Sequence, residues 1–211
     1  MSNDKTDLLT RIAPPPAHSR ISTKTSDNGI VRPNDLTHLY RVYGQGSFDI
    51  FLWIFAPDDD NSNLSSVHNT QVFLEALEET VSFDETVRPL LQTLREASTV
   101  TVWGGTDNGD QCLWLPPTSK APERVIIVDS KCTEWATYKM SVTEFLHGVL
   151  TDTISCPIFP DDFQLTYADM QGVSAILGRP VSSTAHFFLT PEDSTIVYKN
   201  WNDIGPDWKA V

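Results

Sequence analysis

Cations are scarce in this chain. Its 211 residues carry 15 Lys and Arg against 28 Asp and Glu, a formal net charge of -13. The shortage is uneven. Residues 1–43 hold six Lys/Arg and four Asp/Glu, whereas residues 44–211 hold nine and 24, a balance of -15. Phosphate backbones and anionic bilayers are gripped by Lys and Arg, so neither nucleic acid nor membrane is an expected partner. A basic protein is, because an acidic body attracts it and speeds its encounter.

Cysteine is sparse as well. Cys112, Cys132 and Cys156 are odd in number and form no CxxC pair. That argues against a disulfide framework or a thiolate zinc site and for free thiols in a reducing, cytoplasmic compartment. Cys132, in a turn after Lys131, is expected to be exposed with a somewhat lowered pKa. Long apolar runs are missing too. The longest is Ile50–Ala56, far short of a membrane span. Leu8-Leu9, followed by Arg11, is too short for the apolar heart of an export signal.

Catalytic and ligand motifs are equally absent. There is no GxSxG elbow and no HExxH, and no two of His18, His38, His68, His147 and His186 lie four apart. Asp58-Asp59-Asp60-Asn61-Ser62-Asn63 resembles a calcium loop only at its start. Asn63 stands where that loop needs Gly, and Asn69 where it needs Glu. The segment Trp103-Gly104-Gly105-Thr106-Asp107-Asn108-Gly109-Asp110 joins two expected strands. A phosphate cradle needs a helix N-terminus and a nearby cation; here a strand follows and the charges are negative. A hairpin turn with Asn108-Gly109 in type I′ is the reading. No catalytic residue, metal ligand or cofactor is expected. A metal-dependent hydrolase built on Asp107–Asp110 is the remaining enzymatic alternative.

What is present is a foldable body, 40% hydrophobic and 20% charged. Residues 1–32, with Pro14-Pro15-Pro16, read as a flexible tail. Pro33-Asn34-Asp35 opens a helix with Asn34 or Asp35 as cap, carrying Leu36, Leu39, Tyr40 and Tyr43 at helical spacing. Phe48–Phe55 reads as one buried strand. Val67–Thr80 and Thr86–Ala97 read as helices, Pro89 falling in the first turn of the second. The period then changes. Thr99–Trp103, Gln111–Leu115, Val125–Asp129 and Trp135–Met140 are expected strands of an antiparallel meander. Ser141-Val142-Thr143-Glu144 is a capping box that opens a helix over Val142–Leu150. Past residue 163, His186–Leu189 and Thr195–Tyr198 suggest a hairpin. This segregated order indicates an α+β fold: a tail (1–32), a main domain (33–163) and a C-terminal extension (164–211). Of the six tryptophans, Trp53 and Trp114 fit the core. Trp103, beside the turn, is the candidate surface anchor, and Trp201 and Trp208 belong to the extension.

Several of these segments resemble the SMI1/KNR4 (SUKH) family. Leu39-Tyr40-Arg41-Val42-Tyr43-Gly44-Gln45-Gly46 is similar to its helix-to-glycine start, and Phe51-Leu52-Trp53-Ile54-Phe55-Ala56-Pro57 to the strand and proline that follow. Trp103 to Asp110, with Cys112-Leu113-Trp114, resembles its tryptophan–glycine turn and next strand. Met140–Leu146 and Phe159–Phe163 resemble the closing helix and exit of actinobacterial members. The resemblance covers about residues 33–163. It implies a mostly antiparallel sheet flanked by helices, and an immunity protein that binds and neutralises a polymorphic toxin, often a nuclease. Fungal members act instead as regulatory scaffolds. The family has no established catalytic residues, so none is carried over. Acidity and turn position together nominate Asp58, Asp59, Asp60, Trp103, Asp107 and Asp110 as partner contacts.

Overall fold

The computed structural model describes residues 4–19, 21, 31–161, 163, 167–182 and 184–200; Trp201, Trp208 and Asp162 lie outside them. The chain folds as α+β. Among the described residues, seven strands form one antiparallel sheet in the order β6-β5-β4-β3-β2-β1-β7. They are β1 (Gly46–Phe48), β2 (Leu52–Ile54), β3 (Thr101–Thr106), β4 (Gln111–Leu115), β5 (Arg124–Val128), β6 (Trp135–Tyr138) and β7 (Phe188–Leu189). Neighbours in sequence are neighbours in the sheet from β1 to β6, so short turns suffice between most of them. Two helices, α3 (Ser66–Phe83) and α4 (Arg88–Arg95), interrupt the meander between β2 and β3.

Both faces of the sheet are covered. Cys112 and Trp114 of β4, with Val125 and Ile127 of β5, face α1 (Thr6–Ile12), α2 (Asn34–Tyr43) and α5 (Val142–Leu150). Their alternates Leu113, Leu115, Ile126 and Val128 face α3 and α4. The two-residue strand period thus feeds two cores, which explains why these strands read as continuous apolar runs. On α3 the buried residues Ser66, Thr70, Phe73, Leu77 and Val81 recur at helical spacing. On α5 the capping box forms: Ser141 Oγ accepts from Glu144 N, and Glu144 Oε2 accepts from Ser141 N.

The structure corrects five local expectations. Residues 6–13 are not tail; Leu9 of α1 and the following Ala13 are completely buried, and the Ala13 carbonyl accepts the Tyr43 hydroxyl at 2.6 Å. Asp35 does not cap α2. It crosses to α5, where its carboxylate takes Thr143 N at 2.7 Å and Thr143 Oγ1 at 3.0 Å. Phe48–Phe55 is not one strand but the β1–β2 hairpin, turning at Asp49 and Ile50. Thr195–Tyr198 is helical, part of α7 (Pro191–Asn200), and only β7 of the expected hairpin forms, pairing with β1. Cys132 is 8% exposed, and burial, with Asp129 nearby, pushes its thiol up rather than down.

The extension builds a third, small core. Met170 and Val173 of α6 (Tyr167–Leu177) meet Phe187, Leu189 of β7 and Val197, together with Ile50 of the β1–β2 turn.

Candidate functional site

The six nominated residues do not form one patch. Leu52 pairs with Thr106 and Ile54 with Gly104. The loop that follows β2 therefore lies at one end of β3, and the Thr106–Asp110 turn lies at the other. Asp58, Asp59 and Asp60 occupy the first place, Asp107 and Asp110 the second.

Trp103 belongs to neither, because it is fully buried. A bulge between Val102 and Gly104 turns its indole into the core beside Phe145, ring centroids 6.4 Å apart. The glycine after it is a packing requirement: a Cβ on Gly104 would lie 2.2 Å from the Trp53 carbonyl oxygen. The tryptophan–glycine motif thus marks a strand crossing, not a surface anchor.

Asp110 is buried as well. Its carboxylate accepts Thr106 Oγ1 at 2.6 Å and Ser130 N at 3.1 Å, tying the β3–β4 turn to the β5–β6 turn. Burial raises its pKa, with Asp129 adding to that and the two hydrogen bonds opposing it. The turn itself is not type I′. Gly109 N donates to Thr106 O, and Gly109 alone has positive φ, 88°. This is a type I turn closed by a left-handed glycine. Asp107 is exposed, with one carboxylate oxygen 2.6 Å from the Tyr198 hydroxyl. Burial pushes that hydroxyl's pKa up, and Asp107 adds to the shift.

In the other loop Asp59 is buried and holds Gln45 Nε2 at 3.0 Å and Asn61 N at 2.8 Å. Asp58 is half-buried against Ser65 Oγ. Asp60 is exposed. Asp60 and Asp107 are therefore the nominated side chains most open to a partner.

Folding reveals a larger acidic surface than these residues suggest. Residues 42–87 contain nine Asp and Glu and no Lys or Arg. Asp49 and Asp59 of that set are spent inside the protein. Asp60, Glu75, Glu78, Glu79 and Glu85 are exposed, on the loop and on α3 and its C-terminal turn. Two cations from α4 reach this surface, Arg88 to Glu85 and Arg95 to Glu78, the latter at 2.8 Å. Sequence reading passed over it because charges at i, i+3 and i+4 on a helix look like ordinary solvation until the opposite face is known to be buried.

Among the described residues, one buried acid–base pair is formed, and it is occupied by structure. His186 Nδ1 lies 2.6 Å from Asp49 Oδ2, and the ring also hydrogen-bonds the Leu150 carbonyl. Burial pulls the imidazole pKa down, but these bonds and the charges of Asp49 and Asp152 outweigh it and hold it above the ordinary value. A ring engaged on both sides clasps the extension to the sheet and to α5. A cleft of about 550 Å³ between α2, α5 and the end of β4 holds Asp4, Asp35 and Glu123. All three serve the fold: Asp4 binds His38 and Thr6 N, Asp35 binds Thr143, and Glu123 binds Trp114 Nε1. Among the described residues, no three His, Cys, Asp or Glu stand together to hold a metal ion. No described helix is long and apolar enough to cross a membrane.

No protein-family model matches the chain, and no curated protein or solved structure is significantly similar to it.

Proposed function

We propose that this chain is a non-catalytic immunity protein of the SMI1/KNR4 type, which captures and neutralises a basic protein toxin, a nuclease by preference. The observation that carries the reading is the acidic surface of residues 42–87, whose exposed carboxylates line one loop and the outside of α3. A nuclease must be basic where it grips phosphate, and an acidic inhibitor covers that same ground. The carboxylates inside the fold are committed to capping and clasping, whereas Asp60, Glu75, Glu78, Glu79 and Glu85 face outward.

The test is affinity capture of the tagged chain at low and high salt, with toxicity of the captured protein measured in the presence and absence of this chain. One stoichiometric basic partner, released by salt and silenced by the chain, is the expected result. Asp60→Lys with Glu75→Lys should slow association about tenfold at low salt while leaving the fold intact, since both side chains are exposed. Tight capture indifferent to ionic strength overturns the electrostatic reading. Capture of several host proteins and no toxin favours a regulatory scaffold, for which the α6–β7–α7 core, joined to the sheet through β7, offers an added surface.

A further inference from the structure

The outside of α3 carries more than charge. Phe83 is 84% exposed and Val72 47%. At 100° per residue, Val72, Ala76, Glu79 and Phe83 fall within about 60° of one another, on the side away from Phe73, Leu77 and Val81. Neither side chain belongs to a core cluster, and their exposure is not the edge of a buried stripe. Scattered apolar residues on a surface need no explanation; two on one stripe of one helix, bracketing carboxylates, do. Val72 and Phe83 stand about 16 Å apart along the axis, three helical turns. Between them Ala76 leaves a notch, and Glu75 and Glu79 flank it.

We infer that this face of α3 is the docking surface for a basic amphipathic helix of the partner, with Val72 and Phe83 as its apolar anchors. The inference rests on the binding-protein reading above for its purpose, though not for its test. A helix fits because the stripe is a straight ridge-and-groove surface: the partner's ridge lies over Ala76 and its apolar residues reach Val72 and Phe83. The partner is basic because Glu75 and Glu79 lie exposed beside the stripe and α3 itself has no Lys or Arg, Arg95 of α4 reaching only Glu78. The same fact argues against a second copy of this chain, which would set Glu against Glu. An anionic bilayer is repelled for the same reason. Apolar anchors, one of them aromatic, with charge around them are the layout of an interface core and its polar rim.

The probe is a synthetic amphipathic Leu/Lys helix of about eighteen residues, the length of α3. It is titrated into the full chain labelled with ¹⁵N. The expected result is amide shift changes centred on residues 71–83, with a gain of peptide helicity and weakening by salt. Val72→Ser with Phe83→Ser should weaken binding about tenfold. Both side chains are exposed, so the melting temperature should hold. A Leu/Glu peptide of the same pattern should not bind. Shift changes centred elsewhere, equal binding by the double variant, or concentration-dependent self-association through α3 overturns the inference. The two proposals fail separately. If the double variant captures the basic partner as well as the parent chain does, this inference falls and the immunity reading stands. If no basic partner is captured but the peptide maps to α3, the reverse holds.

Discussion

Two tight turns sit side by side at one end of the sheet and are built on opposite logic. The β3–β4 turn uses residues suited to it. Gly109 takes the left-handed position at φ 88°, and the Asp and Asn before it tolerate a turn at little cost. The β1–β2 turn uses residues ill suited to it. Asp49 and Ile50 are both left-handed, at φ 51° and 61°, with Phe51 N bonded to Phe48 O at 3.0 Å. For a β-branched residue that conformation costs about 1–2 kcal/mol. The cost is outweighed from outside the turn. Ile50 is 8% exposed, among Val173, Phe187 and Leu189, and burying such a side chain contributes about 1.5–3 kcal/mol. Asp49 accepts Phe187 N at 3.1 Å as well as the His186 ring. A turn's shape can thus be local chemistry in one place and long-range packing a few ångströms away.

The comparison breaks most sharply at the clasp. Asp49→Ala should cost about 3–5 kcal/mol, because it leaves the buried His186 without its partner. Chemical denaturation measures it; a loss below about 1 kcal/mol would mean the β1–β2 turn holds itself. The clasp also has a pH signature. His186 is raised in the folded state, so below about pH 6.5, the unfolded value, both states carry the proton and the clasp contributes fully. As pH climbs through the higher folded value, the folded protein loses its proton and that contribution fades. His186→Gln should flatten the decline of stability above about pH 6.5, and an unchanged profile would assign the decline to another group.

A smaller effect is expected at the other turn. Gly109→Ala places a Cβ at positive φ and 3.3 Å from the Ser130 side chain, and should cost about 1–2 kcal/mol. No shift in melting temperature would show that the second turn, too, is dictated from outside. The smallest change is Tyr198→Phe. It removes the hydroxyl that reaches both Asp107 Oδ1 at 2.6 Å and the Ile50 carbonyl at 3.1 Å, bridging the two turns. About 1 kcal/mol is expected, and a double-mutant cycle with Asp107→Asn should be non-additive.

Legibility followed locality. The Ser141–Glu144 capping box was readable because both of its bonds lie within four residues. The strands β3 to β6 were readable because apolar β-formers between turn residues need no distant partner to be recognised. The β1–β2 turn was not readable, since nothing in Asp49-Ile50 suggests a turn and its support comes from residues beyond 163. Helix α1 was missed for a related reason. One buried leucine in seven residues makes no period, and the helix exists because α2 and α5 supply the surface it covers.

For the candidate site the division is similar. Sequence pointed to an acidic body and to the Asp58–Asp60 and Asp107–Asp110 segments. It misplaced Trp103, whose side is set by a bulge, and Asp110, whose exposure depends on the neighbouring β5–β6 turn.

By itself, then, the order of residues determined the α+β composition, the meander, the capped helix α5 and the sign of the charge. Each follows from spacing or count along the chain. Only tertiary structure decided which carboxylates face water, that α1 and the extension join the body, and that Val72, Glu79 and Phe83 share one open face of α3. Exposure is a property of what packs on the other side, and a chain read one residue at a time does not contain its own far side.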